Sequence, residues 1–202
     1  MIRFPGDTLV VATHNRGKLE EIADLLRPYP IALRSAAELR LPEPDETEDS
    51  FVGNARLKAH AAAQATGFVA LADDSGLCVD ALGGDPGVYT ADWAETPQGR
   101  DFGMAMARVW AALETAKAAV PRRAQFHCTL VLAWPDGADL VFEGEMPGQL
   151  VWPPRGSQGH GFDPMFQPDG YPMTCGEMDR WEKNRISHRG TAFARFREEC
   201  FT

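Results

Sequence analysis

The chain is short of several things, and each shortage removes a class of protein. No stretch of its 202 residues has the unbroken apolar length of a membrane span. Its start, Met1-Ile2-Arg3-Phe4-Pro5, is not that of a secretory signal, so a soluble cytoplasmic protein is expected. Positive charge is scarce, with 20 Lys and Arg against 29 Asp and Glu and a formal net charge of −9. A broad nucleic-acid surface needs many cation–phosphate contacts, and no such partner is expected here. Cys78, Cys128, Cys175 and Cys200 lie far apart with no Cys-x-x-Cys pair, so neither a zinc centre nor a disulfide framework is expected. Internal repeats and low-complexity tracts are missing as well.

What is present fits one domain over residues 1–202, with room for two lobes around a central cleft. An apolar fraction of 44% supplies a sizeable core. The most informative run is Leu9-Val10-Val11-Ala12-Thr13-His14-Asn15-Arg16-Gly17-Lys18, an apolar strand that stops at a polar elbow and opens a helix. Hydroxyl, amide, backbone N–H and ammonium groups then gather at the positive end of a helix dipole, which suits a phosphate chain. The spacing is not that of a Walker loop.

Further on, Leu19, Ile22, Ala23 and Leu26 mark one helical face over residues 18–27, with Glu20, Glu21 and Asp24 elsewhere. A short strand is expected at 31–33, then an acidic, proline-rich loop at 41–50. Ser50 reads as the cap of a helix over 51–66 closed by Gly67, on which Asn54 and Lys58 share a face. An apolar strand at 68–72 is expected to give out at Asp73-Asp74-Ser75-Gly76, with a second extended piece at 77–82. A helix at 102–118 and a hairpin of strands near 124–134 and 140–145 follow. Thr174 and Glu177 have capping-box spacing, and Ser187 can cap a last helix with Ala192, Phe193, Phe196 and Cys200 buried. Mixed strand and helix patterns indicate an α/β fold around a mixed sheet.

Two constellations could carry chemistry. A Mg²⁺ ion on a triphosphate takes one or two protein carboxylates and keeps waters. Asp74 with Glu46 or Glu43 would meet that need, and Lys18 and Lys58 would neutralise the remaining phosphate charge. Adjacent strand residues point to opposite faces, so only one of Asp73 and Asp74 is expected to meet a given ligand. The second constellation joins Gly161-Phe162-Asp163 to Lys183-Asn184-Arg185-Ile186-Ser187-His188-Arg189. An aromatic beside a glycine and an acid suits a flat ring, and Lys183 and Arg189 are pure donors that suit carbonyl oxygens. A base with oxygen at C6 would be accepted, and a 6-amino base would leave the donors unpaired.

Four segments thus stand in one order: Thr13-x-Asn15-x-x-Lys18; Glu46-Thr47 with Phe51-x-x-Asn54-Ala55-x-x-Lys58-Ala59; Ala72-Asp73-Asp74-Ser75-Gly76-Leu77 with Leu82-Gly83-Gly84-x-Pro86-Gly87; and Gly161-Phe162-Asp163-Pro164 with Lys183-x-x-Ile186-Ser187-His188-Arg189-Gly190. The pattern closely resembles the inosine triphosphate pyrophosphatase family, the Ham1-like non-canonical purine nucleotide pyrophosphatases, over nearly the whole chain. That resemblance implies an elongated mixed β-sheet flanked by helices, a homodimer, and Mg²⁺-dependent hydrolysis of ITP, dITP and XTP to monophosphate and pyrophosphate. By matching positions, Thr13, His14, Asn15, Arg16, Gly17, Lys18 and Lys58 would hold the phosphates. Glu46 and Asp74 would serve the metal, with Asp74 also handling the attacking water. Ser75, His160, Gly161, Phe162, Asp163, Lys183, His188 and Arg189 would line the nucleoside site. Three positions depart from the family pattern: His160 and Gly53 replace a frequent aromatic and Glu, and Asp92 replaces a common Arg. A Maf-like nucleotide pyrophosphatase is the nearest alternative, and a catalytically silent nucleotide-binding protein is the reading from another class.

Overall fold

A computed structural model describes residues 7–201, so the start of the chain at residues 1–5, inspected above for a signal, lies outside the described residues. In chain order the elements are β1 (Thr8–Val11), α1 (Arg16–Leu26), β2 (Ala32–Ser35), α2 (Phe51–Thr66), β3 (Ala70–Val79), β4 (Glu95–Thr96), β5 (Gly99–Arg100), α3 (Phe102–Thr115), β6 (Arg122–Ala133), β7 (Asp139–Leu150), β8 (Phe166–Pro168), α4 (Arg180–Ile186) and α5 (His188–Cys200). Six strands form one sheet in the order β2-β1-β3-β6-β7-β8, and β4 pairs only with β5. β1 runs parallel to both β2 and β3, whereas β8 is antiparallel to β7, so the sheet is mixed as its sequence pattern requires. No helix among the described residues is long and apolar enough to cross a membrane.

The chain divides into two compact units. The first comprises the described residues of 1–74, 128–144 and 189–202, and the second those of 75–127 and 145–188. In the first unit the pleat sorts side chains onto two faces. Leu9 and Val11 of β1, Leu71 of β3 and Cys128, Leu130 and Leu132 of β6 pack with Ile22 and Leu26 of α1 and Phe193 and Phe196 of α5. The intervening Val10, Ala70, Ala72, Val131 and Ala133 pack instead with Ala55, Ala59, Ala62 and Ala63 of α2. The alanine stripe of α2 lets that helix approach the sheet closely, while α1 and α5 bring larger apolar groups. The second unit has its own core, in which Leu77, Val109, Leu113, Phe126, Leu150, Met165 and Phe166 are buried together.

Helix ends follow local chemistry. Asn15 caps α1 by accepting from the Lys18 N–H at 3.1 Å, Ser50 caps α2 through the Gly53 N–H, and Asp101 caps α3 through the Met104 N–H. Gly67 closes α2 in the left-handed region at φ 72°, where a residue without Cβ carries no steric penalty. The capping box of Thr174 and Glu177 is formed, on a single 3₁₀ turn.

Four expectations change. α1 begins at Arg16 rather than Lys18, because Asn15 supplies the cap. α3 ends at Thr115, and β7 runs on to Leu150, where its last residues pair with β8. Most consequential, Asp73-Asp74-Ser75-Gly76 is not a turn between two strands. It lies inside β3, flanked by β1 and β6, and all but Ser75 are buried. A central strand can carry acids through its middle only when cations meet them, which the sequence alone could not show.

Leu130 is fully buried beneath α1 and α5. Leu130→Ala is expected to lower unfolding free energy by about 2–5 kcal/mol, measured by urea titration. A loss under about 1 kcal/mol would mean that this core is not close-packed.

Candidate active site

β1 runs out at Val11, which is level with Leu71 of β3, but β3 continues past it. The elbow Thr13–Lys18 therefore opens beside the stretch of β3 that carries Asp73 and Asp74. Thr13 Oγ accepts from the Asn15 N–H at 3.2 Å, and Asn15 Oδ1 accepts from the Lys18 N–H, so the elbow organises itself from within. His14 Nε2 lies 3.0 Å from the Leu41 carbonyl and Nδ1 lies 3.9 Å from Glu43. Arg16 extends to solvent and pairs with Glu20 one turn on. Its side chain is thus turned to Glu20, while Gly17 lies in the first turn of α1.

Strand alternation settles the carboxylate question. Asp73 follows Leu71 onto the face of α1 and α5, and Asp74 follows Ala72 onto the face of α2. Asp73 Oδ2 lies 3.1 Å from Lys18 Nζ and accepts from Arg189 Nη2 at 3.0 Å. Asp74 Oδ1 lies 3.7 Å from Lys58 Nζ, and the same ammonium donates to Glu46. Asn54, one turn before Lys58 and buried, accepts from the Glu48 N–H at 3.0 Å. Asn54 and Lys58 together pin the acidic loop, so the shared face expected of them has a specific use. Glu46 joins the Asp74 cluster, whereas Glu43 stands by His14.

The electrostatics differ on the two faces. Burial would push the Asp73 carboxyl up, but Lys18, Arg189 and Lys58 overcome it and hold it far below the usual carboxylate range. Burial also raises Asp74, and here the nearby Glu46 and Asp73 charges add to it, leaving it at about 6 despite Lys58 and Lys18. Burial works to lower Lys58, yet Asp74, Asp73 and Glu46 raise it, so it stays charged.

Among the described residues no group of three or more His, Cys, Asp or Glu side chains could hold a metal ion alone. The donor chemistry nonetheless fits a hard divalent cation shared with a ligand. Asp74 and Glu46 offer only oxygen, and the Lys58 ammonium reaches both.

The second unit holds the other constellation. Asp163 is buried, and its Oδ2 accepts from Lys183 Nζ at 2.6 Å and from the His160 N–H at 2.8 Å. Gly159, at φ 72°, has no room for a Cβ against that same carboxylate, which is why the loop needs glycine there. His160 is exposed, Gly161 turns at φ 68°, and His188 stacks on Phe126 with centroids 5.1 Å apart. Ser75 is half-buried within β3.

Two residues expected to contact the nucleoside are buried against other side chains. Phe162 is 1% exposed, with its ring edge-on to Phe102 in the core, so it shapes the loop from beneath and offers no open stacking face. Arg189 is 2% exposed, and its guanidinium is committed to Glu21 and Asp73 in the first unit. Glu21, off the apolar stripe of α1 in the sequence, is nonetheless buried because Arg189 neutralises it. Its position one turn after Lys18 was the available signal.

The fold thus sets a polar elbow with Lys18, and the buried Lys58, beside the Asp73 and Asp74 carboxylates and Glu46. The family comparison is more specific. Residues 9–199 match the model of the Ham1 family, and the chain belongs to that family. It is 66% identical to the dITP/XTP pyrophosphatase of Ruegeria pomeroyi, over 98% of this chain and 97% of that one. It is 56% identical to the protein of the same name from Rhodospirillum centenum, over 98% and 97% of the two chains. The solved Ham1 protein of Coxiella burnetii superposes with a TM-score of 0.86 at 37% identity, covering 97% of this chain and 96% of that one.

The raised Asp74 has a measurable consequence. Its carboxyl sits near 3.8 when unperturbed and about 6 when folded, so its stabilising contribution is complete below about pH 4 and is lost as pH rises through 6. The cost at pH 8 is on the order of 3 kcal/mol. In metal-free buffer, Asp74→Asn is expected to melt several degrees above wild type at pH 8 and level with it at pH 4. Equal melting temperatures at pH 8 by calorimetry would show that the carboxylate is not under electrostatic load.

Proposed function

We propose that this chain is a nucleoside triphosphate pyrophosphatase that hydrolyses dITP, XTP and ITP to the nucleoside monophosphate and pyrophosphate, removing deaminated purine nucleotides from the pool. The observation that carries this reading is the Lys58 ammonium held between Asp74 and Glu46, with Lys18 on the adjoining elbow, in a chain so similar to named dITP/XTP pyrophosphatases. The elbow residues Thr13, His14, Asn15, Arg16, Gly17 and Lys18, with Lys58, take the phosphates. Backbone N–H groups at the start of α1 and the two ammoniums neutralise the charge that builds on the leaving pyrophosphate. Mg²⁺ is the metal proposed, held by Asp74 and Glu46, where it would polarise phosphoryl oxygens and lower the pKa of water.

Asp74 orients the attacking water and accepts its proton. A carboxyl raised to about 6 is a better base than an ordinary aspartate and is still ionised at neutral pH. The water oxygen bonds to the α-phosphorus, the bridge to the β-phosphorus breaks, and the electron pair leaves with pyrophosphate. On the nucleoside side, Ser75, the His160–Asp163 loop, Lys183 and His188 are proposed to bind sugar and base. Lys183 donates to a C6 oxygen while Asp163 holds it in place. The protein is proposed to act in the cytoplasm as a homodimer, without nucleic acid or membrane as partner, and as one domain with two lobes.

A pyrophosphate-release panel over dITP, XTP, ITP, dGTP, ATP, dTTP and UTP tests the reading. Turnover is expected for the three keto purines lacking a 2-amino group, and only with Mg²⁺ present. Preference for dTTP or UTP would favour a Maf-like activity, and no release from any triphosphate would leave only a binding protein. Lys183→Met is expected to narrow the ITP-to-ATP ratio by roughly tenfold or more, since an unpaired polar donor is what rejects the amino base. The ratio is taken within one variant, so a general loss of activity cancels. An unchanged ratio would move selectivity to the backbone of the 160–163 loop.

A further inference from the structure

Asp73 has no evident place in the reaction above: it faces away from Asp74 and the acidic loop, and its side chain is wholly buried. Yet it touches Lys18, the phosphate ligand of the elbow. We infer that Asp73 is a positioning residue that aims the Lys18 ammonium at the phosphates, and that Arg189 and Glu21 lock it for that task. The inference rests on the triphosphate reading just given.

The geometry is a closed ring. Lys18 Nζ lies 3.1 Å from Asp73 Oδ2, the same oxygen accepts from Arg189 Nη2 at 3.0 Å, and Arg189 Nη1 donates to Glu21. Glu21 lies one turn after Lys18 on α1, so the helix backbone completes the circuit. Side-chain exposure is 0% for Asp73, 2% for Arg189 and 11% for Glu21, while Lys18 keeps 17%. Three members are thus sunk in the face formed by β3, α1 and α5, and the fourth alone reaches toward solvent. A lysine on its flexible four-carbon stem loses considerable freedom when it must grip an anion. Asp73 removes that freedom beforehand, and Arg189 keeps Asp73 from turning.

A merely structural ion network would leave phosphate binding indifferent to Asp73 once the protein is folded. A merely electrostatic effect would go the other way, because deleting a carboxylate beside a polyanion removes repulsion and tightens binding. Positioning alone predicts weaker binding through Lys18. Inorganic pyrophosphate is the suitable probe, since it carries phosphates and no base. Its competitive inhibition of dITP hydrolysis is measured at saturating Mg²⁺ for wild type, Asp73→Asn, Lys18→Met and the double variant. Asp73→Asn is expected to weaken inhibition by about tenfold, and the double variant to be no weaker than Lys18→Met. Unchanged or tighter inhibition in Asp73→Asn, or losses that multiply in the double variant, would overturn the inference. Should Asp73→Asn fail to fold, with Arg189 left buried and half-paired, the cycle is run on Asp73→Asn/Arg189→Met/Glu21→Gln, which removes the three buried charges together. Wild-type enzyme that releases no pyrophosphate from dITP or XTP sinks the functional reading. An active wild type with an additive cycle sinks only the role of Asp73.

Discussion

The pleat of β3 is the constraint on which the rest depends. Two consecutive aspartates in a central strand must face opposite sides of the sheet, and neither side offers water. Each therefore needs its own cation, and the two helical layers supply them. α1 and α5 bring Lys18 and Arg189 to Asp73, while α2 brings Lys58 to Asp74. Had the register shifted by one residue, Asp73 would face α2 and Asp74 would face α1 and α5, and each would lose the cation that now meets it.

The same division separates two chemical temperaments. Asp73, ringed by three cations, is permanently charged and serves as a fixed anchor. Asp74, raised first by burial and then by the Glu46 and Asp73 charges, is left with an elevated affinity for protons despite Lys58 and Lys18. A group in that condition lowers its energy by meeting a metal ion or by taking a proton from water. That burden on Asp74 is in keeping with the role proposed for it, since perturbed carboxylates gather at functional sites. The acidic loop takes part because Asn54 and Lys58, one turn apart on α2, hold Glu48 and Glu46.

Much of this was legible in the residues. Ser50 and Gly67 bound α2 where capping chemistry puts them, the strand–elbow–helix run at Leu9–Lys18 was evident, and the four segments together resemble one family. The spacing of Asn54 and Lys58 foretold a common face. The misreadings share one cause. Asp-Asp-Ser-Gly looks like a turn, Glu21 looks like a surface acid, and Arg189 looks like a solvated donor, because local pattern carries no information about distant counter-ions. Phe162 looks like a stacking platform for the same reason, since nothing local says that Phe102 covers its edge.

The sequence by itself determined the elements, their caps, the family resemblance and the short roster of residues able to do chemistry, since these follow from periodicity and from side-chain types at close spacing. Tertiary structure alone decided which carboxylate meets Lys18 and Arg189 and which meets Lys58. It also decided that Glu46 rather than Glu43 joins Asp74, and that Arg189 turns to Asp73 and Glu21. Those outcomes depend on charges brought together from positions as far apart as Glu21 and Arg189, and ion pairing at that separation is settled by packing and burial, not by local order along the chain.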